Sequence, residues 1–328
     1  MTSSSEPSPP PRNSSRDEDG TEGAGRDTYA TVIVCTLGKN PILPLTIRSL
    51  LAQTHRHLEV IVVDNAPASG DTRRQLAGCA DPRLRIVDEP HAGLSRARNA
   101  GLAAAAGEVV AFTDDDALPG DSWLASILDV FASAPPGEVG GVTGPAFAAE
   151  LQSPSQRYFE ARGGFPRGLA PVVWSLADPS GECARFGERG DGGPLFPSRH
   201  RPGGGGSLHG LQPAGDRRPR FLPTCGWAPE PAPTVGRTWT RFARILRAGF
   251  AIVYNPDAVV HHVHRRDLPG LERQIHGNGT GMAALLTKTL LQRPGRALDL
   301  LARIPRILRR VAPNSERMKG ATMTSRHI

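Results

Sequence analysis

Lysine is nearly missing from this chain: it stands only at Lys39, Lys288 and Lys319, so nearly all of the positive charge is arginine. The formal net charge of +7 therefore fits a GC-rich coding bias as readily as a binding role. Aromatic residues make up 5% of the chain and are not interleaved with the basic ones, which argues against a nucleic-acid surface built on base stacking. Four cysteines, Cys35, Cys79, Cys183 and Cys225, show no paired metal-ligand spacing, and a reduced, cytoplasmic setting is the default expectation. No run reaches the roughly 18 consecutive apolar residues of a membrane span. The first 28 residues, rich in Ser, Pro, Arg, Asp and Glu, lack the apolar core of a signal peptide and read as a disordered tail.

What the chain does have is a dense acidic run, Thr113-Asp114-Asp115-Asp116, directly after the apolar stretch Val109 to Phe112. Three carboxylates at a strand end ask for a cation, and a hard divalent metal can bridge carboxylates to the phosphates of a substrate. A solvated turn or a helix N-cap ahead of Ser122-Trp123-Leu124 is the competing reading. The surroundings favour the first. Thr31 to Thr36, Leu58 to Val63, Leu84 to Val87 and Glu108 to Phe112 are short, β-branched apolar runs that read as buried strands. Leu43, Leu45, Ile47, Leu50 and Leu51 form a helix-like face between the first two. Strand, helix, strand with short connections predicts a parallel sheet covered on both faces.

In order, Val34-Cys35-Thr36, Gln53-Thr54, Val62-Val63-Asp64-Asn65, the segment Gly93 to Gly101 and Thr113-Asp114-Asp115-Asp116 resemble the motifs of the family 2 glycosyltransferases, nucleotide-sugar-dependent enzymes of the GT-A fold. The resemblance covers about residues 29 to 150. It implies a Rossmann-like, mostly parallel α/β sheet flanked by helices and a nucleotide-sugar site made by Thr36, Asp64, Arg98, Asp114 and Asp115. It also implies that Asp116 binds Mg²⁺ or Mn²⁺. Asp64 can accept hydrogen bonds from a base or ribose, and Arg98 suits phosphate; a turn-forming Asp-Asn pair and a solvated helix charge are the alternatives. Further on, Tyr254-Asn255-Pro256-Asp257-Ala258 followed by His262-Val263-His264-Arg265 again resembles the family, in which such a His completes the metal site or meets the diphosphate. His262 and His264 sit at the two-residue spacing of one strand face. Transition-metal binding by His261, His262 and His264, or a plain basic surface, stays open.

Between these parts the pattern fails. From about Gly190 to Arg241 the chain is rich in Gly, Pro and Arg, with almost no apolar periodicity. The family's acceptor-side strand and its Glu-Asp pair, whose Asp is the catalytic base, are both missing there; Thr238 and Trp239 stand in the place of the pair. Codons for Arg237 to Arg241, read in a shifted register, can spell Glu-Asp-Leu-Asp-Ala, and those for His209 to Pro213 can spell Met-Ala-Phe-Ser. A frameshifted segment is favoured over a genuine insertion, and no catalytic base is assigned. Four regions follow: a disordered tail to residue 28, a nucleotide-sugar-binding half over 29–150, an acceptor-side half over 151–280 with 190–241 irregular or disordered, and a basic amphipathic helical tail over 281–328. That tail fits peripheral docking on the inner membrane surface or packing on the catalytic domain.

The expected activity is metal-assisted transfer of a sugar from a nucleoside-diphosphate sugar to a carbohydrate or lipid-linked acceptor, with inversion and with activity impaired by loss of the base. The alternatives are an inactive nucleotide-sugar-binding protein and a nucleotidyltransferase. The last would need a Gly-rich triphosphate loop after the first strand, for which Gly38-Lys39-Asn40 is too short.

Overall fold

Runs of Val and Ile without polar interruption form the centre of the sheet because both of its faces are covered. In β2 (Leu58–Asp64) every residue is buried. A computed structural model describes residues 27–161, 169–176, 183–190, 210–211, 242, 244–246 and 248–292. Parallel strands β1 (Ala30–Thr36), β2, β3 (Leu84–Asp88) and β4 (Val109–Asp114) lie in the order β3-β2-β1-β4. Helices α1 (Leu43–Leu51), α2 (Asp71–Leu76) and α3 (Leu94–Ala104) connect them. Alternate strand residues feed two cores. Val32, Val34, Val60 and Val62 pack with Leu43, Ile47 and Leu50 of α1 and with Trp123, Leu124 and Ile127 of α4 (Trp123–Ser133). Ile33, Ile61, Val63 and Phe112 pack on the other side with Ala97 and Leu102 of α3. The two-residue repeat of a strand makes this division.

Short strands follow: β5 (Ala117–Pro119), β6 (Val139–Thr143), β7 (Ala146–Ala148), β8 (Val172–Trp174) and β9 (Glu188–Arg189), with helix α5 (Pro154–Ala161) between β7 and β8. Then come β10 (Gly210–Leu211), β11 (Ala251–Tyr254), β12 (Val260–His262) and the long helix α6 (Leu268–Gln292). The large sheet continues from β4 as β10-β6-β11-β8-β9, and β5, β12 and β7 make a separate three-stranded sheet. Strand β10 runs antiparallel between β4 and β6, with Gly210 opposite both Ala111 and Val142. It lies inside the stretch 190–241 expected to be irregular; the backbone groups of β4 and β6 facing this slot need partners, and a two-residue strand supplies them.

Except for Gly210 and Leu211, residues 191–241 lie outside the described residues, as do residues 1–26 of the N-terminal tail and 293–328 of the C-terminal one. The boundary expected at 281 falls within α6. Among the described residues, no helix is long and apolar enough to cross a membrane.

Candidate functional site

Parallel register brings the chemistry to one edge. Thr36 stands beside Asp64, Asp64 beside Asp88, and Cys35 beside Asp114, so the carboxyl ends of β1 to β4 line up. Ligands of open α/β sheets meet the protein at this edge.

Local hydrogen bonds hold each group. The Thr36 hydroxyl donates to Asp115 Oδ2 at 2.6 Å and accepts from the Gly38 backbone N–H at 2.9 Å. Asn40 Nδ2 donates to the Asp115 backbone carbonyl at 3.0 Å and reaches its Oδ1 at 3.3 Å. Asp115 is thus turned toward the loop after β1. Burial pushes its carboxyl up to about 6, against the stabilising bond from Thr36. Asp64 is fully buried; its Oδ1 accepts from the Ala66 N–H at 3.0 Å, while its buried Oδ2 accepts no hydrogen bond and lies 3.7 Å from Arg73. Arg73 is itself bound through two hydrogen bonds to Asp88.

Asn65 explains how Arg98 is aimed. Its side-chain amide donates to the carbonyls of Glu89 and His91 at 2.7 and 2.9 Å, and its Oδ1 accepts from the Gly93 N–H at 2.9 Å. Gly93 has φ +133°, a conformation side chains disfavour, and it opens α3. Arg98, one turn along and 5% exposed, lies 3.6 Å from Asp114. The helix sits this close to the sheet because Gly101 faces it; a Cβ there would come within 2.6 Å of Ile33.

The small sheet delivers the histidine. His262 of β12 is paired with Ala117 of β5, and the Val263 N–H donates to the Asp116 carbonyl at 2.9 Å. His262 Nε2 therefore sits 3.1 Å from Asp116 Oδ1. Burial alone would push His262 down and Asp116 up. The attraction between the two reverses both, so His262 lies above its ordinary value and Asp116 below. Asp114 is pushed up by burial, against the pull of Arg98. Arg265 approaches Asp116 Oδ2 at 3.5 Å and is half exposed.

Asp114, Asp116 and His262 offer one ligand atom each within 4.8 Å of one another. Two carboxylate oxygens and an imidazole nitrogen form a donor set that could hold a divalent metal ion. Asp114, expected at the nucleotide, stands in this candidate group as well. His264, expected beside the metal, instead has its Nε2 2.7 Å from Glu160 of α5 and its ring edge-on to Phe159. Strand alternation relates His262 to His264 only while the strand lasts, and β12 ends at His262.

Two supports were not assigned a positioning role in the sequence. Buried Gln53 donates to the Gly120 carbonyl at 2.7 Å and accepts from the Leu124 N–H at 2.9 Å, tying the end of α1 to the segment after the acidic run. Gly144 lets the chain before β12 approach, since a Cβ there would lie 2.1 Å from the Ala258 carbonyl oxygen. Gln53 was visible only within the Gln53-Thr54 motif, and Gly144 only as one more Gly after Gly140 and Gly141.

An α/β sheet with acidic, basic and imidazole groups gathered at the carboxyl ends of its strands has them where folds of this kind bind their ligands. Residues 31–187 match the family described as Glycosyl transferase family 2. Over 106 residues it is 36% identical to an uncharacterized glycosyltransferase of Nostoc, covering 32% of this chain and 33% of that protein. Over 123 residues it is 32% identical to the glucosyl-dolichyl phosphate glucuronosyltransferase of Haloferax volcanii, covering 36% and 39%. The matched part thus spans well under half the length of these relatives. Among solved structures, the mannosyltransferase of Pyrobaculum calidifontis in complex with GDP-Man and Mn²⁺ aligns over 91% of this chain and 84% of its own, at 18% identity and TM-score 0.43.

Proposed function

We propose that the chain moves a sugar from a nucleoside-diphosphate sugar to a carbohydrate or lipid-linked acceptor, with Mg²⁺ or Mn²⁺ held by Asp114, Asp116 and His262. The observation that carries the reading is the convergence of these three side chains beside Asp64, Thr36 and Arg98 at the carboxyl ends of β1, β2 and β4. A divalent ion there would neutralise charge on the departing diphosphate. The buried, hydrogen-bond-free Oδ2 of Asp64 would accept from the base or ribose. Arg98, aimed by Asn65 and Gly93, would hold a phosphate once the ligand draws it from Asp114. The Haloferax relative is named for an acceptor on dolichyl phosphate, which supports a lipid-linked acceptor as one choice.

In such a transfer the acceptor hydroxyl attacks the anomeric carbon, the bond to the diphosphate breaks, and a carboxylate takes the hydroxyl proton. No residue is assigned to that last role. The Glu-Asp pair expected from the family is missing from the sequence, and the family match ends at 187, just before the Gly-, Pro- and Arg-rich stretch begins. This favours a second reading, a nucleotide-sugar binder that turns over slowly or not at all. A frameshifted segment would account for both; an independently confirmed, uninterrupted reading frame through codons 190–241 overturns that account.

The activity test incubates the purified protein with Mn²⁺ and each common nucleotide sugar, with and without polyprenyl-phosphate-linked sugars, and measures release of nucleoside diphosphate. Transfer from one donor, abolished by chelation, supports the enzyme. Donor binding without release supports the second reading. Neither binding nor release contradicts both.

A further inference from the structure

Helix α5 supplies none of the side chains gathered at the acidic run, yet it grips the chain that follows β12. His264 is held from α5 by side chain and backbone alike. Its Nε2 meets Glu160 Oε1 at 2.7 Å, its ring stands edge-on to Phe159 with centroids 4.8 Å apart, and its carbonyl accepts from Gln156 Nε2 at 3.1 Å. His264 is 3% exposed and the Glu160 side chain 13%, so the contact between them is shielded from water. Gln156 Nε2 also donates to Glu150 Oε1 at 2.8 Å, and Arg266 binds that carboxylate through two hydrogen bonds at 2.6 and 2.8 Å. The exposed Arg266 pair adds little, which leaves Glu160 and Gln156 as the main fastening.

This fastening reaches the acidic run through one ring contact. The imidazoles of His262 and His264 lie with centroids 5.3 Å apart at an angle of 34°, a separation typical of packed rings. The backbone of His262 is fixed by the small sheet: it is paired with Ala117 of β5 and Ala148 of β7, and its carbonyl accepts from the Ala149 N–H at 2.9 Å. A fixed backbone still leaves a side chain its staggered wells about χ1. The observed well sets His262 Nε2 3.1 Å from Asp116 Oδ1, with the ring of His264 against it. His264 can support that ring only while its own is held, and Glu160 and Phe159 hold it.

We propose that Glu160 is a positioning residue for the metal centre: through the ring of His264 it keeps the His262 imidazole where it can meet an ion beside Asp114 and Asp116. The proposal rests on the metal-site reading above. Residues behind a metal-ligating histidine commonly fix its ring and so set the affinity for the ion. Here that part falls to a second histidine and the carboxylate that anchors it.

The test measures Mn²⁺ affinity by the electron paramagnetic resonance of free Mn²⁺, with and without UDP, GDP and dTDP, for the full chain and for Glu160→Ala, Glu160→Asp and Glu160→Gln. Glu160→Ala removes the contact and is expected to weaken Mn²⁺ binding about tenfold, the low end of the cost of losing a residue behind a metal ligand. Glu160→Asp keeps the charge but draws the oxygen back by one methylene, and its loss should fall between those of Glu160→Ala and Glu160→Gln. Glu160→Gln keeps an acceptor oxygen at the same reach and should stay within about threefold of wild type. Nucleotide binding without metal should stay within about twofold in all three variants, because Thr36, Asp64 and Arg98 stand on β1, β2 and α3. Where circular dichroism shows that Glu160→Ala does not fold, the comparison of Glu160→Asp with Glu160→Gln decides. Wild-type Mn²⁺ affinity in Glu160→Ala and Glu160→Asp, tighter Mn²⁺ binding, a Glu160→Gln loss as large as that of Glu160→Asp, or an equal loss of metal-free nucleotide binding would overturn the proposal. A wild type that takes up no Mn²⁺, with or without nucleotide, overturns the metal-site reading itself, an outcome distinct from an unchanged variant.

Discussion

Glu59 lies at the opposite end of β2 from Asp64, five residues and roughly 17 Å away along the strand, and replacing it separates stability from ligand binding. Its buried carboxylate accepts from the Thr31 hydroxyl at 2.7 Å, the Ala106 N–H at 2.8 Å, and Arg85 Nε and Nη2 at 3.1 and 2.7 Å. The Thr31 hydroxyl accepts in turn from the Gly107 N–H at 2.8 Å, so one carboxylate fixes the entry to β4. Glu59→Ala strands two donors, the Thr31 hydroxyl and the Ala106 N–H, at about 1–3 kcal/mol each. The half-exposed Arg85 pair adds no more than about 1 kcal/mol. The sum is about 2–7 kcal/mol, a fall in Tm of about 4–28 °C for a domain of this size. Burial would raise the Glu59 carboxyl, but the Ala106, Thr31 and Arg85 partners outweigh it and hold the group below its ordinary value. A depressed folded-state value means stability that is present above the unfolded value, near 4.3, and lost as pH falls through the folded one. Denaturant unfolding of wild type and variant should therefore show a gap at pH 7 that narrows below about pH 4. A loss under about 1 kcal/mol, or a gap that ignores pH, would refute this assignment. Nucleotide affinity should stay within about twofold of wild type, because no site residue touches Glu59.

Gln53→Ala should lower stability by about 2 kcal/mol and weaken nucleotide binding as well, because the link from α1 to Gly120 and Leu124 is lost; calorimetry on the folded variant checks the second effect. Gly144→Val should displace Ala258 and β12, abolishing metal-dependent binding while the β1-β2-β4 edge remains, which circular dichroism and Mn²⁺ titration together would show. An unaffected Mn²⁺ response would mean that β12 is not positioned through Gly144.

Much of the parallel sheet was legible because its strands are buried on both faces. Thr31 to Thr36 and Leu58 to Val63 were readable within a residue of β1 and β2, and the α1 face was marked by Leu43, Ile47 and Leu50. The acidic run was legible as a candidate cation site because of the buried strands around it, and Asp114 and Asp116 stand with His262 in a group that could hold a metal ion. The three-stranded sheet of β5, β12 and β7 was not legible, because three-residue strands carry too little alternation to be seen. Without that sheet the choice between His262 and His264 could not be made. Arg73, lying between Asp64 and Asp88, depends on the β2-β3 register and has no mark in the sequence.

Everything proposed for this chain depends on metal-dependent nucleotide binding at the ends of β1, β2 and β4. Calorimetric titration of the protein with UDP, GDP and dTDP, each with and without Mn²⁺ and alongside Asp116→Ala, tests it most directly. One nucleotide is expected to bind, Mn²⁺ to strengthen its binding at least about tenfold, a difference of about 1.4 kcal/mol, and Asp116→Ala to remove the Mn²⁺ effect. Binding that is indifferent to Mn²⁺ and to Asp116, or no binding of any of the three, would contradict it.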